Sequence, residues 1–474
     1  MGTINAALSS AASTMDALQY ALNVSENNID NSSTPGYATQ KATLLANPFD
    51  PLAGLSGGVS SGPMQDTRDL LAESEVWLQQ GASGSSSAQS EALTALQNAL
   101  PTAPGTGITQ ALTNFFNAAS AWSTNPQDES GRQAVMDAAQ SLAQSFNATS
   151  AAVANVSQSV TQGISSSVSQ INSLTAQLAQ YNANVINGGQ HDAGLSAQIY
   201  NTLQILSGMV NIQVLPQQDG TVEVTLSGGE ALVMGSQQYA LTAGSAAPPA
   251  NPVVDAAAPP HAVIYGADGA DVTSQINSGT LAGQLQVRNV VIPSITGDAG
   301  QQGSLNELAS SIATAVNNIV SNGSVSNGVA AASGLFTVDP NHADSAAATL
   351  AVDPNMTAAG LPAIDQNGVS NGVPLDLAAM ASSPEISGAS FTAYYGDLTA
   401  SVGSQLNQAQ SNQTLASQSL AQAESMRQTA EGVDLNTEAV NVLQLQEGFQ
   451  AAAKLVSTLD TLTQSLLDMV PSGG

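Results

Sequence analysis

Three histidines, 35 carboxylates and a G-x-S-x-G string are the parts of this chain that could do chemistry. His191, His261 and His342 could bind a metal or move a proton. Each stands alone, with no partner at metal-ligand spacing and no H-E-x-x-H. They read as surface or loop histidines. "GLSGG" (Gly54 to Gly58) matches a nucleophile elbow, which must join a buried strand to a helix; its Pro, Gly and Ser flanks make it a loop. "GADGADVTSQ" (Gly266 to Gln275) has the look of a calcium-binding nonapeptide, but one copy without an array is a turn. No Walker A or dinucleotide-binding glycine pattern occurs, and no two carboxylates are set apart as acid and base. With no cysteine, thiolate metal sites, disulfides and a cysteine nucleophile are excluded. The chain reads as a non-enzyme without metal or cofactor.

Composition sets the surface on which any binding must occur. Charged residues make up only 9% of the 474 residues and aromatics 4%, whereas soluble proteins carry about 25% charged residues. Ser, Thr, Asn, Gln and Ala must therefore cover the exterior, in runs such as "GASGSSSAQS". Six Lys and Arg against 35 Asp and Glu give a net charge of −29. That balance provides no basic stripe for a phosphate backbone or an anionic bilayer, so neither nucleic acid nor membrane is expected as a partner. No apolar run approaches a bilayer-spanning length. The N-terminus lacks the basic region of a cleaved secretory signal, so export is expected without one.

The elements that position the surfaces are mostly helical. Ile4, Leu8, Ala11, Met15, Leu18, Leu22 and Ile29 alternate steps of four and three, a heptad seam with Ser25 at its polar place. Pro35 ends this helix, and "NSSTPGY" (Asn31 to Tyr37) is a strong turn. At the other end Leu435, Val442, Phe449, Val456, Thr463 and Val470 lie seven apart, with Leu445, Ala452, Leu459 and Leu466 three residues on. Between them helices are expected over about 89–100, 109–122, 130–187 and 194–210, with Phe115, Phe116 and Trp122 as core anchors. Residues 212–241 alternate apolar and polar, with turns at Gln218-Asp219-Gly220 and Gly228-Gly229, and read as β-hairpins. "HAVIYG" and "GQLQVRNVVI" continue the β region. A Pro- and Ala-rich loop (residues 243–260) interrupts it, and a helix returns near 303–321. "LFTV" and "TLAV" are possible short strands. From Pro384 to about Glu431 a polar helix leads back to the terminal one.

The fold class is thus mainly α with a β-rich insert. Residues 1–34 and 435–474 form paired terminal helices in a coiled-coil rod. Residues 35–210 and 375–434 form a helical rod, and 211–374 a smaller outward β-rich module. Whether the terminal seams close within one chain or between copies is not decided by periodicity.

Both termini resemble flagellar axial proteins. "NVSENNIDNSSTPGYATQKATL" matches the N-terminal motif at Asn27, Asn28, Ile29, Asn31, Thr34, Pro35, Gly36, Tyr37 and Gln40. The segment from Gly432 matches the paired C-terminal motif at Val433, Leu435, Glu438, Leu443, Gln446, Ala451, Ala453 and Lys454. "LTNFFNAASAWSTNPQDESGRQAVMDAAQSLAQSFN" (Leu112 to Asn147) and "GTLAGQLQVRN" (Gly279 to Asn289) resemble the helical region of the FlgK family of hook-associated proteins.

That resemblance implies a structural protein of the hook–filament junction, required for filament assembly and exported by the flagellar type III apparatus to the outside of the cell. It implies self-association in a ring, hook protein on one side, a second hook-associated protein or flagellin on the other, and an export chaperone. Its assembly interface would be Ile4, Leu8, Met15, Leu18, Leu22 and Ile29 with Leu435, Val442, Leu445, Phe449, Val456, Leu459 and Leu466. The termini would be largely disordered in the monomer and fold on assembly. The turn Asn31, Thr34, Pro35, Gly36 and Tyr37 would redirect the chain from inner tube to outer rod. A hook or distal-rod protein is the nearer alternative, and an acidic extracellular coiled-coil adhesin the more distant one.

Overall fold

The computed structural model describes residues 2–50, 55–103, 105–189, 192–247, 259–326, 329–339, 342 and 345–468. Gly54, His191, the loop residues 248–258 and Val470 lie outside them. Helix α1 (Gly2–Asp30) ends where Asn31 N still reaches Asn27 O at 3.0 Å, four residues ahead of Pro35. An antiparallel ribbon follows, β1 (Gln40–Ala46) with β4 (Val59–Asp66), and β2 (Phe49–Asp50) with β3 (Leu55–Ser56) at its tip. It lies along α1, with Ser10 Oγ donating to Gly57 O at 2.6 Å and Val59 N donating to Thr14 Oγ1 at 3.1 Å. The ribbon is absent from the sequence expectation, because Gly, Pro and Ser break the alternation of "VSSGPMQD". The "GLSGG" string falls at the tip, with Gly57 and Gly58 at positive φ and no strand-to-helix elbow.

The rod comprises α2 (Leu70–Ala99), α3 (Gly107–Ser123), α4 (Glu129–Asn184) and α5 (Ala193–Met209). Phe115, Phe116 and Trp122 are buried as anchors, and Val153, Val160, Ile164, Val168, Ile171 and Leu178 form the buried stripe of α4.

A four-stranded antiparallel meander comes next, β5 (Ile212–Pro216), β6 (Val222–Leu226), β7 (Ala231–Met234) and β8 (Gln237–Gln238), at the hairpins expected from alternation. Strand β9 (Thr242–Ala246) pairs with β10 (His261–Tyr265). "GQLQVRNVVI" is not a strand. It belongs to α6 (Gly279–Gln286), a wide helical turn at Val287–Val291 and α7 (Ile292–Thr296). Leu281, Leu285, Ile292 and Ile295 are all buried, and steps of four, seven and three place them on one helical face. Then come α8 (Ser304–Ser321), β11 (Ser324–Ser326), β12 (Val329–Ala330), β13 (Phe336–Thr337), α9 (Ala346–Thr349), β14 (Ala351–Val352) and α10 (Gly372–Ala379). The chain closes with α11 (Phe391–Glu431) and α12 (Leu435–Asp468).

One contiguous core runs from Trp77 to Ala409 and includes Val224 and Ile264 of the insert, so the middle of the chain packs on the rod. Tyr395, Val402, Ala409, Ala416 and Ala423 are buried seven apart on α11, which runs antiparallel to α2, with Gln413 beside Ser87 and Glu431 beside Asp69. Helix α2 begins well before residue 89 because its "GASGSSS" segment, which reads as polar surface, is a packing surface for small residues. A Cβ on Gly84 would meet Gly208 O at 2.1 Å, and one on Gly283 would meet Ser85 O at 2.3 Å. Gly84→Ala is therefore expected to cost about 2 kcal/mol in urea unfolding by forcing α2 and α5 apart. Among the described residues no helix is long and apolar enough to cross a membrane.

Candidate functional site: the joint of the chain ends

Helices α1 and α12 pair antiparallel, with Asn28 beside Glu438 and Leu18 over Gly448, where an added methyl would sit 3.5 Å from Leu18 Cδ1. Ile4, Leu8, Met15, Leu18, Leu22 and Ile29 are half-buried on α1, as are Val442, Leu445, Phe449, Val456 and Leu459 on α12. The two seams therefore meet within one chain. Leu435, the first residue of α12, is half exposed, and Leu466 lies in the α12 backbone with its side chain outside the described residues. Away from the seam α12 exposes Val440, Leu443, Leu455 and Leu462, each by half or more. At 3.6 residues per turn these four fall within an arc of about 120°.

The turn is held from both sides. Thr34 N donates to Asn31 O at 2.9 Å, Thr34 Oγ1 to Asn31 Oδ1 at 3.1 Å, and Tyr37 N to Thr34 O at 3.2 Å. Pro35 is exposed and fixes φ at the turn. Gly36 has φ +76°, and a Cβ there would lie 2.4 Å from Ala197 O and 2.8 Å from Asn201 N of α5. The turn thus lies directly on the α5 backbone.

Asn28, buried to 1% exposure, uses both ends of its amide. Its Nδ2 donates to Gln40 O at 2.8 Å and Glu438 Oε1 at 3.1 Å; its Oδ1 accepts from Gln40 N and the Tyr37 hydroxyl, both at 2.9 Å. Burial, and then the Glu438 carboxylate, push the Tyr37 phenol up to about 12. Asn28, Gln40 and Glu438 come from the two terminal motifs, and the structure brings them into one network beside a 550 Å³ crevice between α1, β1 and α12.

Four charges lie beneath the turn, with Arg427 half-buried and the side chains of Arg68, Glu73 and Glu431 buried. Arg68 donates through Nη1 to Glu73 and through Nη2 to Gly36 O at 2.9 Å, and its guanidinium stacks 3.6 Å over the Tyr200 ring, itself stacked on Trp77. Arg427 donates to the second Glu73 oxygen at 3.1 Å and to Gln204 at 2.9 Å. Glu431, the last residue of α11, accepts at its carboxyl from Asp69 N at 2.8 Å and stands 3.7 Å from Arg68. Its backbone oxygen accepts from Thr39 N at 2.8 Å and Thr39 Oγ1 at 2.9 Å. Burial pushes the Glu431 carboxyl up to about 7; the Asp69 N–H and the two arginines oppose the shift, and Glu73 adds to it. Sequence reasoning did not single out Arg68, Glu73, Arg427 or Glu431. The available sign was scarcity: with only six Lys and Arg in the chain, each arginine is conspicuous.

This arrangement fixes the direction of the chain at the joint. His261 Nε2 stands 3.0 Å from Asp298 Oδ2 in the insert, far from His342 in sequence, and "GADGADVTSQ" closes as a turn with Gly269 N on Gly266 O at 3.0 Å. Among the described residues no three His, Asp or Glu side chains converge as a metal site.

The chain matches the family model of the flagellar hook-associated protein FlgK helical domain over residues 93–336, more than half its length. The model of the flagellar basal body rod FlgEFG protein C-terminal region matches residues 427–469. The chain is 24% identical to flagellar hook-associated protein 1 of Bacillus subtilis (strain 168), covering 98% of each. It is 27% identical to the protein of that name from Escherichia coli (strain K12), where the match covers 62% of this chain and 54% of the relative. The corresponding match to the Salmonella typhimurium protein, also 27% identical, covers 61% and 53%. The chain thus spans about half the length of these two enterobacterial relatives. The flagellar hook junction protein FlgK from Burkholderia pseudomallei has the same fold, with a TM-score of 0.62 at 17% identity over 74% of this chain and 99% of that one. The match of residues 93–336 to its helical-domain model, over more than half of the chain, places the chain in the FlgK family of flagellar hook-associated proteins.

Proposed function

We propose that this chain is a non-catalytic structural subunit of the bacterial flagellum, forming the junction between hook and filament outside the cell. The observation that carries the reading is the match of its helical rod to the FlgK helical domain. The axial-protein C-terminal match at residues 427–469 supports a terminal helix pair of the kind that rod and hook proteins also carry, so a hook or distal-rod role is the competing reading. In our reading the subunits form a ring, with hook protein on one side and a second hook-associated protein or flagellin on the other. Export runs through the flagellar type III apparatus with a chaperone.

The seams of α1 and α12 meet within one chain and stay half-buried there, so in our reading copies meet through these seams and through the exposed stripe Val440, Leu443, Leu455 and Leu462. Leu443→Asp with Leu455→Asp is expected to leave monomer unfolding within about 0.5 kcal/mol of wild type, as for surface substitutions, while abolishing ring formation. Cells lacking the gene should carry hooks without filaments and shed flagellin into the medium. The wild-type gene should restore filaments and the double variant should not. Filaments growing normally without the protein would overturn the reading.

A further inference from the structure

We infer that the charge cluster of Arg68, Glu73, Arg427 and Glu431 is a proton-operated latch at the joint, closed when Glu431 takes up a proton and loosened when it gives the proton up. Geometry makes Glu431 the odd member. Both guanidiniums direct their short contacts at Glu73, which is fully buried, and leave Glu431 with one backbone N–H and a guanidinium at 3.7 Å. A buried carboxylate whose ion pair is as long as 3.7 Å, beside a second carboxylate that takes the short guanidinium contacts, favours its neutral form.

The position makes that proton consequential. The Glu431 carboxyl holds Asp69, the N-cap of α2, and its backbone oxygen holds Thr39 at the foot of β1 and Thr67 ahead of Arg68. One residue therefore ties the last turn of α11 to the segment leading out of the 34–37 turn. The charged and titratable groups around it are Arg68, Asp66 and Asp69 on the linking segment, Glu73 on α2, Tyr200 on α5 and Arg427 on α11.

The sign follows from linkage. A carboxyl raised to about 7 in the folded chain keeps a proton that the unfolded chain has released. The joint is therefore most stable at the acid end of the window and loses stability as pH rises from the ordinary carboxylate range through about 7.

The test follows amide exchange of Thr39 and Asp69 in the full chain between pH 5.5 and 8.5, as protection factors. In wild type, protection of both should fall about tenfold across that range, the equivalent of one pKa unit. In Glu431→Gln, which keeps an acceptor for Asp69 N without a charge, protection should stay high and flat. The carboxyl carbon-13 shift of Glu431 in wild type should titrate near neutrality, a reading independent of whether the variant folds. Equal pH dependence in wild type and Glu431→Gln, or a Glu431 carboxyl ionised throughout, would overturn the latch.

Discussion

Gly36→Ala is expected to destabilise the chain by about 3 kcal/mol and to displace the terminal helix pair from the rod. Two costs add. Gly36 sits at φ +76°, and holding a residue with a Cβ in the left-handed region costs about 1–2 kcal/mol. The added Cβ would also meet backbone atoms on α5, Ala197 O at 2.4 Å and Asn201 N at 2.8 Å. Neither can rotate away, so the turn must lift off the helix, an overpacking cost of about 1–3 kcal/mol. Lifting it removes the Arg68 hydrogen bond to Gly36 O. Denaturant unfolding reads the first effect. A spin-label distance between α1 and α5 reads the second. A Gly36→Ala chain with wild-type midpoint and distance would show that the turn is merely a helix stop.

Arg68→Ala should have a similar or larger effect. It leaves Glu73 with Arg427 alone, deepens the isolation of Glu431, and strips the cation from the Tyr200 face. Removing one partner from a buried ion cluster costs about 3–5 kcal/mol. Arg68→Lys should recover only part of it, since an ammonium can neither stack on Tyr200 nor reach Glu73 and Gly36 O with one planar fork. Trp77, stacked on Tyr200, should report the loss as a change in fluorescence. Full rescue by lysine would mean that charge alone holds the joint.

The long helices were legible because burial leaves a periodic trace. Val153 to Leu178 on α4, and the hairpins around Asp219 and Gly228, are the elements where apolar spacing matches what the structure buries. Helix α2 was legible only in its second half, since Gly81, Gly84 and the serines around them carry no apolar period although they form a close helix crossing. "GQLQVRNVVI" misled because its β-branched run favours strand locally, while Leu281, Leu285, Ile292 and Ile295 find a helical site in the core. The turn Thr34-Pro35-Gly36-Tyr37 was readable from its own residues. The charges beneath it were not, because Arg68 and Glu431 stand near opposite ends of the chain and only folding brings them together. The terminal seams were readable as seams, but sequence could not say that they meet each other and leave the Leu443 and Leu455 side of α12 open.

The most direct measurement is immunogold labelling of purified hook–filament complexes with antibody against the exposed part of residues 212–379. A single band where hook meets filament is the predicted result. Label along the whole hook would make the chain a hook protein, and complexes without label would contradict the flagellar account altogether.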